Sequence, residues 1–143
     1  MDNQIWLKMH GGTTHFPIAL MMASLLFDLG GEWVPENKDK SRRASLRAAG
    51  YYALMLGALG SFGAVFSGLM ISHWQLRGVG NLARHHLYLW PAFALLVGLA
   101  VWRLLAGDSA SRRAFKFYLG VSFVAAILCG AAGYWGGELV MNG

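Results

Sequence analysis

Hydrophobic and polar positions fall into four long apolar blocks separated by short polar ones. Phe16 to Phe27 carries no charged residue, and neither do Ala48 to Ser72, His85 to Trp102, or Phe117 to Gly137. Crossing a bilayer core of roughly 30 Å takes about 20 apolar residues in a helix. The pattern therefore predicts four spans, at about His15–Val34, Leu46–Trp74, Ala83–Leu105 and Phe115–Val140. Asp28 and Glu32 interrupt the first. The connections are short, so successive helices should run antiparallel. The expected fold class is all-α: one integral membrane four-helix bundle spanning residues 1–143, with no internal repeat standing out. Met1 to His10 has no long apolar region with a cleavage site after it, so no cleavable signal peptide is expected and the first span directs insertion.

Composition agrees. Of 143 residues, 56% are hydrophobic and 13% charged, and the mean hydropathy is +0.43. Soluble domains carry roughly 25% charged residues, which argues against a soluble enzyme, and disorder needs the opposite bias. The net charge of +5 does not point to nucleic acid, because the basic residues are concentrated in two short regions. Lys38, Lys40, Arg42, Arg43 and Arg47 lie around the first connection, and Arg103, Arg112, Arg113 and Lys116 flank the third. Only Lys8, Arg77 and Arg84 lie on the other side. The positive-inside rule then predicts a bacterial inner membrane protein with both termini and the Gln75–Leu82 loop in the periplasm. A single cysteine, Cys129, excludes an internal disulfide and any CxxC or c-type haem site. Trp6, Trp33, Trp74, Trp90 and Trp135 fall mostly near span ends, as an interfacial aromatic belt requires.

The five histidines carry the candidate chemistry. His10 and His15 precede or open the first span, His73 closes the second, and His85 and His86 open the third. Antiparallel packing puts all five at the outer membrane edge. Ionisable side chains at that depth usually face the bundle interior and often serve a site. Imidazole is an axial ligand of b-type haem, and four-helix bundles hold cofactors between facing helices. His85 and His86 are about 100° apart on a helix, so they cannot both address one iron. Trp90, on the same face as His86, favours His86 as the inward one. Each histidine also has a plainer reading, solvated for His10 and interfacial for His15 and His73.

Gly57, Gly60, Gly63 and Gly68 recur along one helix, and Gly130, Gly133, Gly136 and Gly137 along another. Close helix packing explains them better than room for a flat macrocycle. Asp28 is placed to pair with Arg47 or Arg103. Glu138 is placed to orient a histidine as acceptor. A zinc site from His10, His15 and a later histidine lacks an acidic or thiol partner. Gly78-Val79-Gly80 is too short for a phosphate-binding loop.

From His15 the chain reads H-F-P-I-A-L, with His10 before it and Asp28 twelve residues after Phe16; near its end it reads G-Y-W-G-G-E-L-V, Gly133 to Val140. With a histidine opening the third span, these segments resemble the small four-helix membrane proteins catalogued as domain of unknown function 2231. The resemblance covers nearly the whole chain. It implies a four-helix membrane domain and, in some members, association with redox proteins and predicted haem binding. The recurring histidines of that family match His10, His15 and one of His85 or His86. This chain has Gly11 where the family often has proline, and His73 in addition.

The expectation is a b-type cytochrome subunit that transfers electrons and has no catalytic activity of its own. Haem b is expected on His15 and His86, with a second haem on His73 and either His10 or His85 if two are bound. The expected partners are other subunits of a membrane redox complex, a c-type cytochrome or periplasmic metalloenzyme, and quinone, all within or beside the lipid bilayer. The alternatives are a non-redox membrane anchor or assembly scaffold, and a metal-binding or transport protein.

Overall fold

The computed structural model describes residues 3–35 and 39–142; Lys38 of the basic first connection lies outside them. Four helices account for nearly all of it: α1 (Asn3–Trp33), α2 (Lys40–Ile71), α3 (Asn81–Ala106) and α4 (Arg112–Asn142), with one 3-10 turn at Gly107–Ser109 before α4. There is no strand among the described residues. All four helices are long and apolar enough to cross a membrane. The chain is an all-α membrane bundle.

Each helix is longer than the apolar block that announces it. A helix of 31 residues is about 46 Å long at 1.5 Å per residue, well beyond a hydrocarbon core of roughly 30 Å. The surplus lies at the ends. α1 begins at Asn3, so His10 is inside the helix rather than ahead of it. α2 begins at Lys40, where Asp39 accepts a hydrogen bond from the Arg42 backbone N–H at 2.8 Å. That cap draws Arg42, Arg43 and Arg47 into the first turns of α2. At its other end α2 stops at Ile71. His73 and Trp74 follow in a turn with φ of 51° and 63°, so His73 does not close the span.

α1 packs chiefly on α2 and α3 chiefly on α4. The two antiparallel hairpins then meet, and the α2–α3 seam is the most open. Met21 and Leu25 of α1, Leu54 and Ala58 of α2, Leu96 and Leu99 of α3, and Ala125, Ala126 and Cys129 of α4 form the buried centre. Large apolar residues such as Leu26, Leu59, Leu87 and Phe117 are exposed, as a surface facing lipid requires. In lipid, helices associate by close packing and hydrogen bonding rather than by hydrophobic burial. Small residues do that here. A Cβ on Gly57 would meet Leu20 at 3.2 Å, and one on Gly133 would meet Ile18 at 3.1 Å. The Ser24 hydroxyl donates to the Gly50 carbonyl at 2.8 Å across α1 and α2. The close-packing reading of the glycines therefore holds at Gly57, Gly60 and Gly133, whereas Gly63 and Gly137 face open space.

The two hairpins place their polar groups at equivalent positions. Eighteen residues separate His10 from Asp28 on α1, and eighteen separate His85 from Arg103 on α3. On the return helices the same interval runs from Gly50 to Gly68 and from Tyr118 to Gly136. Eighteen residues are five helical turns, so each pair shares one face about 27 Å apart. Each hairpin thus carries an imidazole at one edge of the hydrocarbon core and a charge at the other.

Candidate paired-imidazole site

His10 and His85 lie at matching places in the two hairpins. The Nδ1 atom of His10 is 3.0 Å from the Ala64 carbonyl oxygen of α2. The Nδ1 atom of His85 is 2.9 Å from the Ala132 carbonyl oxygen of α4. A carbonyl can only accept, so in each neutral ring Nδ1 carries the proton and Nε2 keeps its lone pair. Each ring also lies against a glycine one turn further along the return helix. A Cβ on Gly68 would come within 2.9 Å of His10 Cε1, and one on Gly136 within 3.3 Å of His85 Nδ1 and Cε1. Ser67 adds a second contact at 3.0 Å to His10 Nδ1, and the Thr13 hydroxyl lies 3.4 Å from that of Ser67. His10 is half-buried and His85 is buried.

The remaining histidines are placed differently. His86 is buried beside His85, with ring centroids 5.7 Å apart, and packs on Trp90 at 5.9 Å. Its Nδ1 has no hydrogen-bond partner. Trp90 in turn donates from Nε1 to the Leu76 carbonyl at 2.9 Å, tying α3 to the preceding loop. Both neighbours are therefore inward, and it is His85 whose Nδ1 is held by the return helix of its own hairpin. His15 is exposed on α1. It is five residues from His10, which turns it about 140° away on the helix, toward lipid. His73 is exposed in the α2–α3 turn. The bundle thus places His10 and His85 at matching positions in the two hairpins, while of the expected His15–His86 pair His15 is exposed and His86 buried, and His73 is exposed. No group of three or more His, Cys, Asp or Glu side chains is gathered among the described residues, and the three-ligand zinc arrangement does not form there. The acceptor that orients His85 is the Ala132 carbonyl.

The opposite edge holds a buried ionic cluster. Asp28 is fully buried and Arg103 nearly so. Arg103 donates from its two terminal nitrogens to the two Asp28 oxygens at 2.6 and 2.9 Å. The Tyr118 hydroxyl donates to Asp28 at 3.0 Å and accepts from Arg103 at 2.9 Å. Arg103 also donates to the Arg47 carbonyl at 3.0 Å. A forked guanidinium–carboxylate pair with its remaining positions satisfied is the form in which charge survives inside a membrane. Of the two partners open to Asp28, Arg103 takes the role. Arg47 and Arg43 instead donate to Glu32 at 2.6 and 2.8 Å.

Sequence reasoning missed the ring-orienting residues, Ala64, Ser67 and Gly68 on α2 and Ala132 and Gly136 on α4. It also missed Tyr118. A signal existed in the repeated eighteen-residue spacing, which puts a histidine and a charge on one face of both α1 and α3.

Four candidate spans and inward-facing polar clusters define a polytopic membrane protein. Residues 7–143 match the model of a family described as a predicted membrane protein, domain of unknown function 2231. The chain belongs to that family. Neither the curated proteins nor the solved structures contain a match to it.

Proposed function

We propose that the protein is the haem-carrying subunit of a membrane electron-transfer complex, in which His10 and His85 would hold one haem b. One observation carries the reading: two imidazoles on separate hairpins are each anchored through Nδ1 to a backbone carbonyl and keep Nε2 free. That is the arrangement of a metal-ligating histidine, whose second nitrogen is held by a carbonyl that fixes the tautomer and raises ligand basicity. The donor set fits the group: two neutral imidazoles within an apolar bundle, with glycines under both rings.

Haem b held by these two imidazoles would supply one-electron transfer. The protein's own contribution is positioning. The Ala64 and Ala132 carbonyls stop the rings from rotating, and Gly68 and Gly136 let them lie close to their return helices. The surrounding helices limit access of water. The partners consistent with this reading are other subunits of a membrane redox complex, a c-type cytochrome or metalloenzyme, and quinone. Charge bias supports a bacterial inner membrane location with both termini and the imidazole pair on the periplasmic side, since nine of the twelve basic residues sit at the other edge. The pair His73 with His10 or His85 has no support for a second haem, because His73 is exposed in a turn.

The test is a dithionite-reduced minus oxidised spectrum of the full chain, produced with haem supplied and its partners retained, together with a pyridine haemochrome assay. The expected result is a b-type spectrum at about one haem per chain, as a single bis-imidazole pair allows. His10→Ala and His85→Ala should each abolish it, while His15→Ala and His73→Ala should leave it intact. A colourless wild-type protein would overturn the cytochrome reading, and loss of the spectrum in His15→Ala with retention in His10→Ala would overturn the ligand assignment.

A further inference from the structure

His85 and His86 lie within the first two turns of α3, at the end of the bundle, yet both are buried. Ala132 and Gly136 of α4 cover His85. On the side of His86 the cover comes from the chain just ahead of α3. Helical side chains lean toward the helix N-terminus. The Trp90 indole accordingly packs back on His86, with ring centroids 5.9 Å apart, and its Nε1–H reaches the Leu76 carbonyl at 2.9 Å. Residues 72–80, which join α2 to α3, therefore fold back along α3, and Leu76 stands one indole away from His86. We propose that this segment is a latch over the imidazole end of α3 and that its opening admits the cofactor. The entry role rests on the haem reading above; the latch itself does not.

The segment is built to open. His73, Trp74, Gly78 and Gly80 have φ of 51°, 63°, 63° and 60°. Glycine adopts left-handed backbone freely, whereas residues such as His and Trp do so rarely. A few residues at element ends are what absorbs the dihedral changes of a hinge. From Leu76 to Val79, the bond from Trp90 is the only hydrogen bond to the rest of the bundle among the described residues. The Leu76 and Val79 side chains are 58% and 85% exposed, so little apolar burial opposes release. Segments with few tethers and little burial open at the low end of a protein's range of local stabilities.

Closure has one further contact. Gly78 rests so near Leu82, in the first turn of α3, that a Cβ there would stand 2.7 Å from Leu82 Cδ2. The latch also joins the two helices whose mutual packing is the loosest of the neighbouring pairs. Releasing it frees the outer end of the α2–α3 seam, where packing opposes separation least.

The experiment compares the full chain in detergent with two variants. Trp90→Phe keeps an aromatic ring beside His86 and loses the N–H; Leu76→Ala trims an exposed side chain and keeps the carbonyl. Amide exchange is read on the haem-free protein, and the rate of ferric haem uptake by absorbance after mixing. Trp90→Phe should speed exchange at residues 75–80 several-fold, leave residues 92–103 unchanged, and take up haem several-fold faster to the same final content. Gly78→Ala, which forces the loop off Leu82, should do the same by a different route, and Leu76→Ala should match the wild type in both. Equal exchange in Trp90→Phe and the wild type would overturn the latch, whether or not the protein binds haem. Faster exchange with unchanged uptake would overturn its role in entry. A lower final haem content in Trp90→Phe would make Trp90 a support of the site and would also overturn the gating role. A wild type that takes up no haem would sink the cytochrome reading and the entry role with it, while the exchange comparison still decides the latch.

Discussion

A methyl group at position 68 would sit 2.9 Å from His10 Cε1, a separation that forces the ring to move. The same substitution favours the helix itself, because alanine is the better helix former by about 1 kcal/mol. Gly68→Ala should therefore cut haem content several-fold while leaving unfolding in detergent unchanged or slightly improved. Gly63→Ala, which meets nothing within 4 Å, is the matched control and should bind haem normally. Equal haem content in the two variants would count against His10 as a ligand. Asp28 poses a different question, because its partners leave no polar position idle. Removing one member of a buried pair costs about 3–5 kcal/mol, whereas replacing both by apolar groups of similar size is often nearly neutral. Asp28→Leu alone should be severely destabilised in a detergent unfolding titration, and Asp28→Leu/Arg103→Met should recover most of the loss. Asp28 and its candidate partners were legible in the sequence, since a carboxylate inside a span must find a cation. The choice of Arg103 over Arg47 was not legible, because it depends on helix rotation and on Gly50 lying flat enough to admit the carboxylate. A Cβ there would stand 2.5 Å from Asp28 Oδ1.

Among the elements, α1 shows most clearly where hydropathy stops being a guide. The four spans follow from uncharged blocks, but helix ends are fixed by hydrogen bonds and caps: the Asp39 cap carries α2 back to Lys40, and α1 reaches back to Asn3. The outer part of α1 is polar and contains Gly11 and Gly12, so its own propensity is poor. It is held by His10 on Ala64 and Ser67 and by Trp6 edge-on to Phe66 at 6.0 Å. Pro17, inside the helix, has no N–H to offer the carbonyl four residues back, which weakens the ladder between the outer and inner parts. Amide hydrogen exchange should therefore divide α1 near Pro17. In His10→Ala, exchange in residues 4–14 should speed up, while residues 18–33, packed on Leu54 and Leu96, should keep their protection. Uniform acceleration along the helix would mean that α1 opens as one unit and that His10 does not hold the outer part separately.

At the scale of the whole molecule, the site belongs to neither hairpin alone. Each hairpin supplies one imidazole, one carbonyl that orients it and one glycine beneath it, and each supplies half of the Asp28–Arg103 pair. This division is invisible to a reading that looks for repeated words, because only the spacing recurs: a histidine, then five turns, then a charge of opposite sign in the two copies. The opposite signs matter physically. Like charges at Asp28 and Arg103 would repel where the hairpins meet, whereas the observed pair draws the hairpins together at one edge, with one histidine of each hairpin toward the other edge. Packing within each hairpin is the more extensive, so the halves should survive separation. Two chains broken between Gln75 and Leu76, the second keeping the Leu76 carbonyl for Trp90, should assemble when produced together and yield the b-type spectrum. Neither half alone should be coloured. His10→Ala in the first half should be as damaging as His85→Ala in the second, and Arg103→Ala in the second should reduce co-purification with an intact first half. A coloured single half would mean that one hairpin binds haem without the other, and the interhairpin pairing of His10 with His85 would then have to be abandoned.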